Sequence, residues 1–293
     1  MRPLSSVKTC RFFSPQAALP ALLAGLVLLA FSESAYSLPT PPTADWGPST
    51  LSFGGAGAGL SVDHDAFLTN PANLAYFQNT NSVGGSWQNL PRDEQRWSVS
   101  LVDGKLPAVA GFHFTWNDYG PSQRHAYTLG GAYKTAYGAF GATAQALNFS
   151  SVARGNGWHF TGSIGVLIPA AYGISLAIYS RHLLDTESNT QLPPDVHMAL
   201  LYIYPEMVRF SFESDRRFVL AGQDWNYSLG ADLLFKKYFA VRGGYRFDRS
   251  GSDDFFSVGA AVLGPKMEIT AAFTRTTERK AVNGLAFGAS FKM

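Results

Sequence analysis

From Asn81 to the last residue the sequence repeats one short pattern: apolar, polar or small, apolar again, interrupted by turns after about ten residues. A period of two sends successive side chains to opposite faces of an extended strand. Ala110, Phe112, Phe114 and Trp116 fall on one face, with Gly111, His113 and Thr115 on the other. Trp158, Phe160, Ile164, Val166 and Ile168 separate from His159, Thr161, Ser163 and Gly165. Tyr172, Ile174, Leu176 and Ile178 oppose Gly173, Ser175 and Arg181, and Val208, Phe210 and Phe212 oppose Arg209, Ser211 and Glu213. The same split recurs for Val241, Tyr245 and Phe247 against Arg242, Arg246 and Asp248, and for Met267, Ile269, Ala271 and Phe273 against Glu268, Thr270 and Thr274. We count about fourteen such runs, the signature of antiparallel strands with one apolar face.

A soluble sandwich would show the same alternation, so the direction of the apolar face has to come from elsewhere. Charged residues make up only 15% of the chain, against about 25% in a soluble domain. Aromatic residues reach 14%, with 29 glycines. Connections alternate between short ones (Asp103–Pro107, Thr135–Gly138, Pro169–Ala171, Tyr204–Glu206, Phe235–Tyr238, Gly264–Lys266) and longer polar ones (Asn89–Gln95, Asn117–Gln123, Phe149–Gly157, Leu184–Asp195, Asp215–Asp224, Arg249–Asp254, Thr277–Asn283). Outer-membrane barrels have short periplasmic turns and longer outer loops. Trp87, Trp97, Trp116, Tyr133, Trp158, Tyr204, Trp225 and Tyr238 lie near the ends of runs, where interfacial girdles need aromatic rings. Beyond the leader, no apolar run reaches the roughly 18 residues of a membrane helix. Hydrocarbon leaves backbone groups without partners, so only a closed sheet crosses it with strands. The fold class that follows is an all-β transmembrane antiparallel barrel.

The beginning of the chain reads as an export signal. Arg2, Lys8 and Arg11 precede an apolar segment from Ala17 to Phe31, and Ala35-Tyr36-Ser37 offers a cleavage point before Leu38. The expected organisation is residues 1–37 as signal peptide, 38–79 as a periplasmic lead and plug, and 80–293 as the barrel. Cys10 is the one cysteine and lies in the leader, so the mature chain has no disulfide, thiolate nucleophile or cysteine-bound metal. The net charge of +2 is small and dispersed and indicates no nucleic acid partner. No cofactor motif appears.

Between the proline-rich lead and the first strand lies Phe53–Phe77, FGGAGAGLSVDHDAFLTNPANLAYF. Gly54, Gly55, Gly57 and Gly59 permit close packing of backbone on backbone. A dinucleotide loop would need a preceding strand and a following helix in one βαβ unit, and neither is present. Asn70 can cap a short helix with Pro71 in its first turn, ending near Phe77. A closed sheet of about fourteen strands has a lumen wider than its own side chains fill. This stretch, with Asp63, Asp65, Asn70, Pro71, Ala72 and Asn73, is the segment available to occupy it.

The candidate lumen residues are His113, His159, His197, Arg181, Arg209, Arg242 and Arg246. Charge inside a barrel needs partners. Asp63 and Asp65 are natural partners for Arg242 or Arg246, and the arginines could instead meet an anionic head group. His64 between the two aspartates could hold an ion, but an arginine-paired or solvated acidic turn accounts for the same residues. His159 and Ser163, four apart on one strand, stand roughly 13 Å apart, too far for a nucleophile and its base, and no catalytic residue is assigned. The pairs Gly84-Gly85, Gly130-Gly131 and Gly243-Gly244 mark either breaks in the wall or room for the plug.

Gly54-Gly55-Ala56, the acidic pair Asp63 and Asp65 with Ala66, and Asn70-Pro71-Ala72 with Leu74 resemble the outer-membrane transport proteins of the FadL/TodX type. They are also similar to PorV-type barrels of secretion systems. The resemblance covers about 25 residues and implies a hatch inside a barrel of about 14 strands, built to pass hydrophobic molecules from outside and release them sideways into the membrane. Two departures stand out. Asn73 replaces the glycine common after Asn-Pro-Ala, and Asn is the next best residue for a left-handed backbone. The outer loops are also much shorter than those of fatty-acid transporters. The chain ends on an alternating strand closed by Met293, similar to the signal read by the outer-membrane assembly machinery, though that signal usually ends in an aromatic residue. The function expected is passive uptake of hydrophobic or amphipathic small molecules, of the fatty-acid or aromatic-hydrocarbon class, across the bacterial outer membrane. The alternative is a PorV-like barrel that binds protein partners.

Overall fold

The computed structural model describes residues 46–59, 63–90, 94–105, 107–118, 122–151, 155–183, 194–204, 207–217, 225–236, 238–249, 254–277 and 283–293. The expected signal peptide, its cleavage site, Cys10 and the proline run from Pro39 to Pro42 lie outside these residues.

Fourteen strands close into one antiparallel barrel in which each pairs with its sequence neighbours and the last returns to the first. They are β1 (Asn81–Leu90), β2 (Glu94–Asp103), β3 (Val109–Asp118), β4 (Ser122–Lys134), β5 (Ala139–Ser151), β6 (Gly155–Pro169), β7 (Ile174–Arg181), β8 (Asp195–Tyr204), β9 (Val208–Arg217), β10 (Asn226–Phe235), β11 (Phe239–Phe247), β12 (Phe255–Leu263), β13 (Met267–Thr276) and β14 (Asn283–Lys292). Closure runs from Ser82↔Lys292 to Asn89↔Leu285. The last strand therefore forms as its alternation requires, and no edge is left open to template aggregation.

The strands keep the period of two along most of their length, except where β7 meets β8, with Ser180 and Arg181 and then Asp195, Val196 and His197 buried in succession. On β2, Arg96, Ser98, Ser100 and Val102 are buried, while Trp97, Val99 and Leu101 are about half exposed. The exposed set around the wall is Leu129, Phe160, Leu200, Phe210, Leu229, Val241, Val258, Phe287 and similar residues, a continuous apolar outer face. A soluble protein does not present such a surface to water. Trp97, Trp116 and Trp158 ring the end with the longer connections, and Tyr133, Tyr204 and Tyr238 the end with the short turns. The two aromatic girdles bracket a lipid-facing band. The chain is a membrane-spanning β-barrel.

The expected alternation of short and long connections holds only from β7 onward. Those after β1, β3 and β5 are shorter than expected, because the strands run on: β5 reaches Ser151 and β6 starts at Gly155, still paired as Ser151↔Gly155. The ladder continues because Phe149 and His159, read as loop and strand start, pack edge to face inside the wall. Long connections are confined to β7–β8, β9–β10, β11–β12 and β13–β14.

Most of the described residues from Trp46 to Phe77 are buried against the inward faces of the strands. Helix α1 (Pro48–Ser52) contacts β11 to β14, and the second of two 3-10 helices, His64–Phe67 and Pro71–Phe77, contacts β3 to β6. Trp46 clusters with Leu90, Phe255 and Ala286, beside the longer connections. Leu74 and Phe77 cluster with Val102, Val109, Ala132 and Ala139, beside the short turns. The segment thus runs the length of the lumen before it turns into β1.

The glycine pairs seat this segment and do not break the wall. The ladders run without interruption through Gly84↔Ser100, Gly130↔Gly111 and Gly244↔Gly230. The inward member of each pair meets the segment: a Cβ on Gly84 would overlap the His64 ring, one on Gly130 would stand 2.9 Å from Phe67 Cε1, and one on Gly244 would overlap the Phe53 carbonyl. The outward members face open space or their own neighbours, as at Gly243, 3.7 Å from Ser257 O.

Candidate functional site: the lumen and its inner segment

The segment begins with α1, entered through Pro48 in its first turn, where a missing N–H costs nothing. It leaves through Gly54 and Gly55 at φ +67° and +89°, a conformation open to glycine. Gly57 and Gly59 do not need that freedom; side chains there would strike Thr50 and Leu201. Asn70 caps the second 3-10 helix as expected, its side chain accepting from Ala72 N at 3.0 Å and donating to Val166 O of β6 at 3.2 Å. Pro71 and Ala72 press on Gly141 of β5. Asn73 is the exception. It sits inside this helix, outside the left-handed region, and its side chain donates to Ala58 O at 2.9 Å. Its amide ties the two halves of the segment together, which a glycine could not do.

The lumen wall falls into three sectors of different chemistry. Along β3 to β7 it is apolar: Val109, Ala132, Ala139, Leu167 and Ala177 receive Phe67, Leu74 and Phe77. His113 belongs here, stacked on Phe67 at 5.5 Å and bonded through Nε2 to Thr115 at 2.9 Å. His159 lies apart, against Phe149. The structure therefore does not gather the three candidate histidines.

Along β7 to β11 the wall is ionic and arranged in two tiers. In the tier near the longer connections, Arg181 pairs with Asp195 at 2.5 Å, and Arg246 with Asp215 at 2.6 Å. His197 bridges the set, with Nδ1 2.8 Å from Glu213 and Nε2 3.3 Å from Asp195. Tyr179 stacks on His197 at 4.2 Å and donates to Glu213 at 3.1 Å. Glu213 also accepts from Ala58 N at 3.0 Å, a direct bond from wall to segment. In the second tier Asp232 meets both Arg209 and Arg242, the latter at 3.6 Å, and Arg242 reaches Glu268 at 3.3 Å. Arg242 lies 5.3 Å from the Phe53 ring and donates to Ser49 at 3.1 Å.

The expected pairing of Asp63 or Asp65 with Arg242 or Arg246 does not form. Wall carboxylates already neutralise both arginines: Asp232 on the adjacent strand and Glu268 meet Arg242, and Asp215, two strands away, meets Arg246. Asp63 instead accepts from Ser49 and from Asp65 N, and Asp65 from Thr50 N at 2.9 Å. The third sector, β12 to β2, carries many hydroxyls, with Glu268 on β13 and the buried Arg96–Glu94 pair on β2 among them. His64 bridges β1 and β2 through Ser82, 2.9 Å from Nε2, and Ser100, in contact with Nδ1. Both ring nitrogens are thereby used in docking. A cavity of about 30 Å³ beside His64, Ser98 and Glu268 has room for about one water. No metal-holding cluster occurs among the described residues. On the segment, outside the strands that cross the membrane, burial pushes the Asp65 carboxyl well above the usual carboxylate range, and Asp63 pushes the same way. Burial lowers His64 to about 4, so its ring is neutral at pH 7.

Asp195, Asp215, Tyr179, Arg96 and Trp46 escaped the sequence reading. The two aspartates sit at strand ends that fall within the expected connections, Asp195 closing one and Asp215 opening the next; Tyr179 is an aromatic on the inward face, and Trp46 lies in the proline-rich lead. Arg96 holds that lead in place, donating to Trp46 O at 2.9 Å.

These features define a class: membrane β-barrels of fourteen strands whose lumen is packed with an N-terminal stretch of the same chain. No protein-family model matches the sequence, and no curated protein matches it significantly. Solved structures do share the fold. The monoaromatic hydrocarbon channel CymD matches with a TM-score of 0.66 at 13% identity, over 86% of this chain and 98% of that one. The toluene transporter TbuX of Ralstonia pickettii matches with 0.66 at 12% identity, over 86% and 99%. The toluene transporter TodX of Pseudomonas putida matches with 0.67 at 10% identity, over 89% and 99%. The chain has the FadL/TodX-type fold that its glycine-rich and Asn-Pro-Ala stretches resemble.

Proposed function

We propose that this protein is an outer-membrane channel for small hydrophobic molecules, reached after export with a cleaved leader and operating by diffusion. The observation that carries the reading is the likeness in fold, over nearly the whole of each partner, to three barrels described as hydrocarbon channels or toluene transporters. The lumen chemistry favours a neutral cargo within that class. Arg181, Arg209, Arg242 and Arg246 all have carboxylate partners in the wall. A fatty-acid carboxylate would have to displace one of these partners, whereas a hydrocarbon need not. Residues Gly54 to Asn73 act as the hatch, with no catalytic role.

The test is uptake into lipid vesicles carrying the purified protein, comparing toluene with a long-chain fatty acid. Faster toluene entry than in protein-free vesicles supports the reading, and preference for the fatty acid corrects its cargo. Absence of flux for either, with protein partners co-purifying from the outer membrane, overturns it in favour of a PorV-like scaffold.

A further inference from the structure

The indole of Trp46 fills a pocket of its own at the end of the lumen that bears the longer connections. The residue is 1% exposed. Leu51, Leu90, Phe255, Ala272 and Ala286 form one cluster with it. The Phe255 ring stands tilted at 6.0 Å, and the Arg246 guanidinium lies 4.9 Å from the indole. Under the ring is Gly55, where a Cβ would come within 2.6 Å of the Trp46 six-membered ring. Apolar walls, a tilted aromatic neighbour and a cation over the π face are the contacts that recognise an aromatic ring as such. Arg246 is already neutralised by Asp215, at 2.6 and 3.0 Å, so it offers this contact without calling for an anion.

One group is not accommodated. The indole Nε1–H is buried and has no hydrogen-bond partner among the described residues. A donor left unpaired in a site shielded from water is disfavoured relative to an apolar group of the same shape. The pocket therefore suits a hydrocarbon ring better than the indole that occupies it. Its position adds to this. Among the described residues of the segment, Trp46 lies beside the end with the longer connections, and the far end of the segment is anchored in the apolar sector.

We propose that the Trp46 pocket is a binding site for a neutral monoaromatic ring, which takes the place of the indole as the front of the inner segment yields. This rests on the reading of the barrel as a channel for hydrophobic molecules, and it narrows the cargo to aromatic ones.

Two measurements test the site and the channel separately. In nanodiscs, indole N–H NMR signals from the 6 tryptophans are followed, with Trp46 assigned by Trp46→Phe. Toluene should shift the Trp46 signal saturably, and methylcyclohexane at the same membrane concentration should not. Trp46→Ala should bind toluene about tenfold more tightly, since no indole then competes; if that variant does not fold, the signals of the unmodified protein decide. A Trp46 signal unmoved while vesicles take up toluene overturns the site and leaves the channel standing. A shifted signal without toluene flux overturns the channel and keeps the site. Equal shifts with both hydrocarbons overturn the aromatic assignment.

Discussion

Gly230 and Gly243 face opposite sides of the same wall, and alanine at each should change stability in opposite directions. A Cβ on Gly230 would stand 2.7 Å from Phe53 O and 2.8 Å from its Cδ1. An ordinary contact needs about 3.5 Å, so one partner must move by roughly 0.8 Å. Phe53 cannot retreat easily. Its carbonyl accepts from Ala56 N at 3.2 Å, Arg242 lies over its ring, and Gly244 closes the adjoining side. Overpacking of this kind costs about 1–3 kcal/mol. Alanine in a strand recovers about 0.5–1 kcal/mol through the unfolded state. Gly230→Ala should therefore lose up to roughly 2.5 kcal/mol net, about 1 kcal/mol at mid-range. Gly243→Ala, whose Cβ would make an ordinary contact with Ser257 O at 3.7 Å, should gain about 0.5–1 kcal/mol. Urea unfolding in lipid vesicles, followed by tryptophan fluorescence and by heat-modifiability on gels, measures both. Shifts of the same sign, or no difference between them, would refute the claim that inward glycines exist to seat the inner segment.

Glu213→Ala removes the acceptor of Ala58 N, Tyr179 and His197 together, leaving buried donors unpaired. The expected loss is about 3 kcal/mol in urea unfolding, with Glu213→Gln recovering at least half. Leu229→Arg, on the lipid face near mid-strand, should destabilise the barrel by about 2–4 kcal/mol, and a loss below 1 kcal/mol would argue against its membrane depth. Acid should act on the segment through two opposed groups. His64, lowered from 6.5 to about 4, contributes docking stability that is lost as pH falls through that window. Asp65, whose value is raised, contributes stability that is lost as pH rises and so offsets it. Asp65→Asn should remove the offset, making the segment more sensitive to protease as pH falls from 6.5 to about 4. A flat profile in that variant would reject the assignment.

The barrel was legible because its information is local. A period of two decides which face each side chain takes, and most of the described wall obeys it. The Asn70 cap was legible for the same reason, since donor and acceptor are two residues apart. The partners of the lumen charges were not, because pairing across strands depends on register. Arg246 meets Asp215 two strands away, and Asp215 read as the start of a loop. Trp46 was missed because prolines on both sides of it argue against a strand, which is correct, and say nothing about burial in a lumen.

Continuous ladders also limit how such a barrel can open. Parting two strands within hydrocarbon exposes backbone groups with no replacement partners, at several kcal/mol for each. The pairing of β10 with β11 runs from Tyr227↔Phe247 to Phe235↔Phe239 and leaves nothing to part cheaply. By contrast, the front of the inner segment is held to the wall by apolar packing around Trp46 and by a few polar contacts: Arg96 to Trp46 O, Arg242 to Ser49, Ser257 to Ser52 O, Glu213 to Ala58 N. Releasing these frees a handful of polar groups and no row of backbone groups in hydrocarbon, so the segment yields before the wall does. Where the wall would yield is also unequal. β6 pairs with β7 only from Ile164↔Ser180 to Pro169↔Ser175, although β6 follows β5 back to Gly155. A sideways exit would break the fewest hydrogen bonds there, close to Asn70, whose side chain bonds Val166 of that same strand.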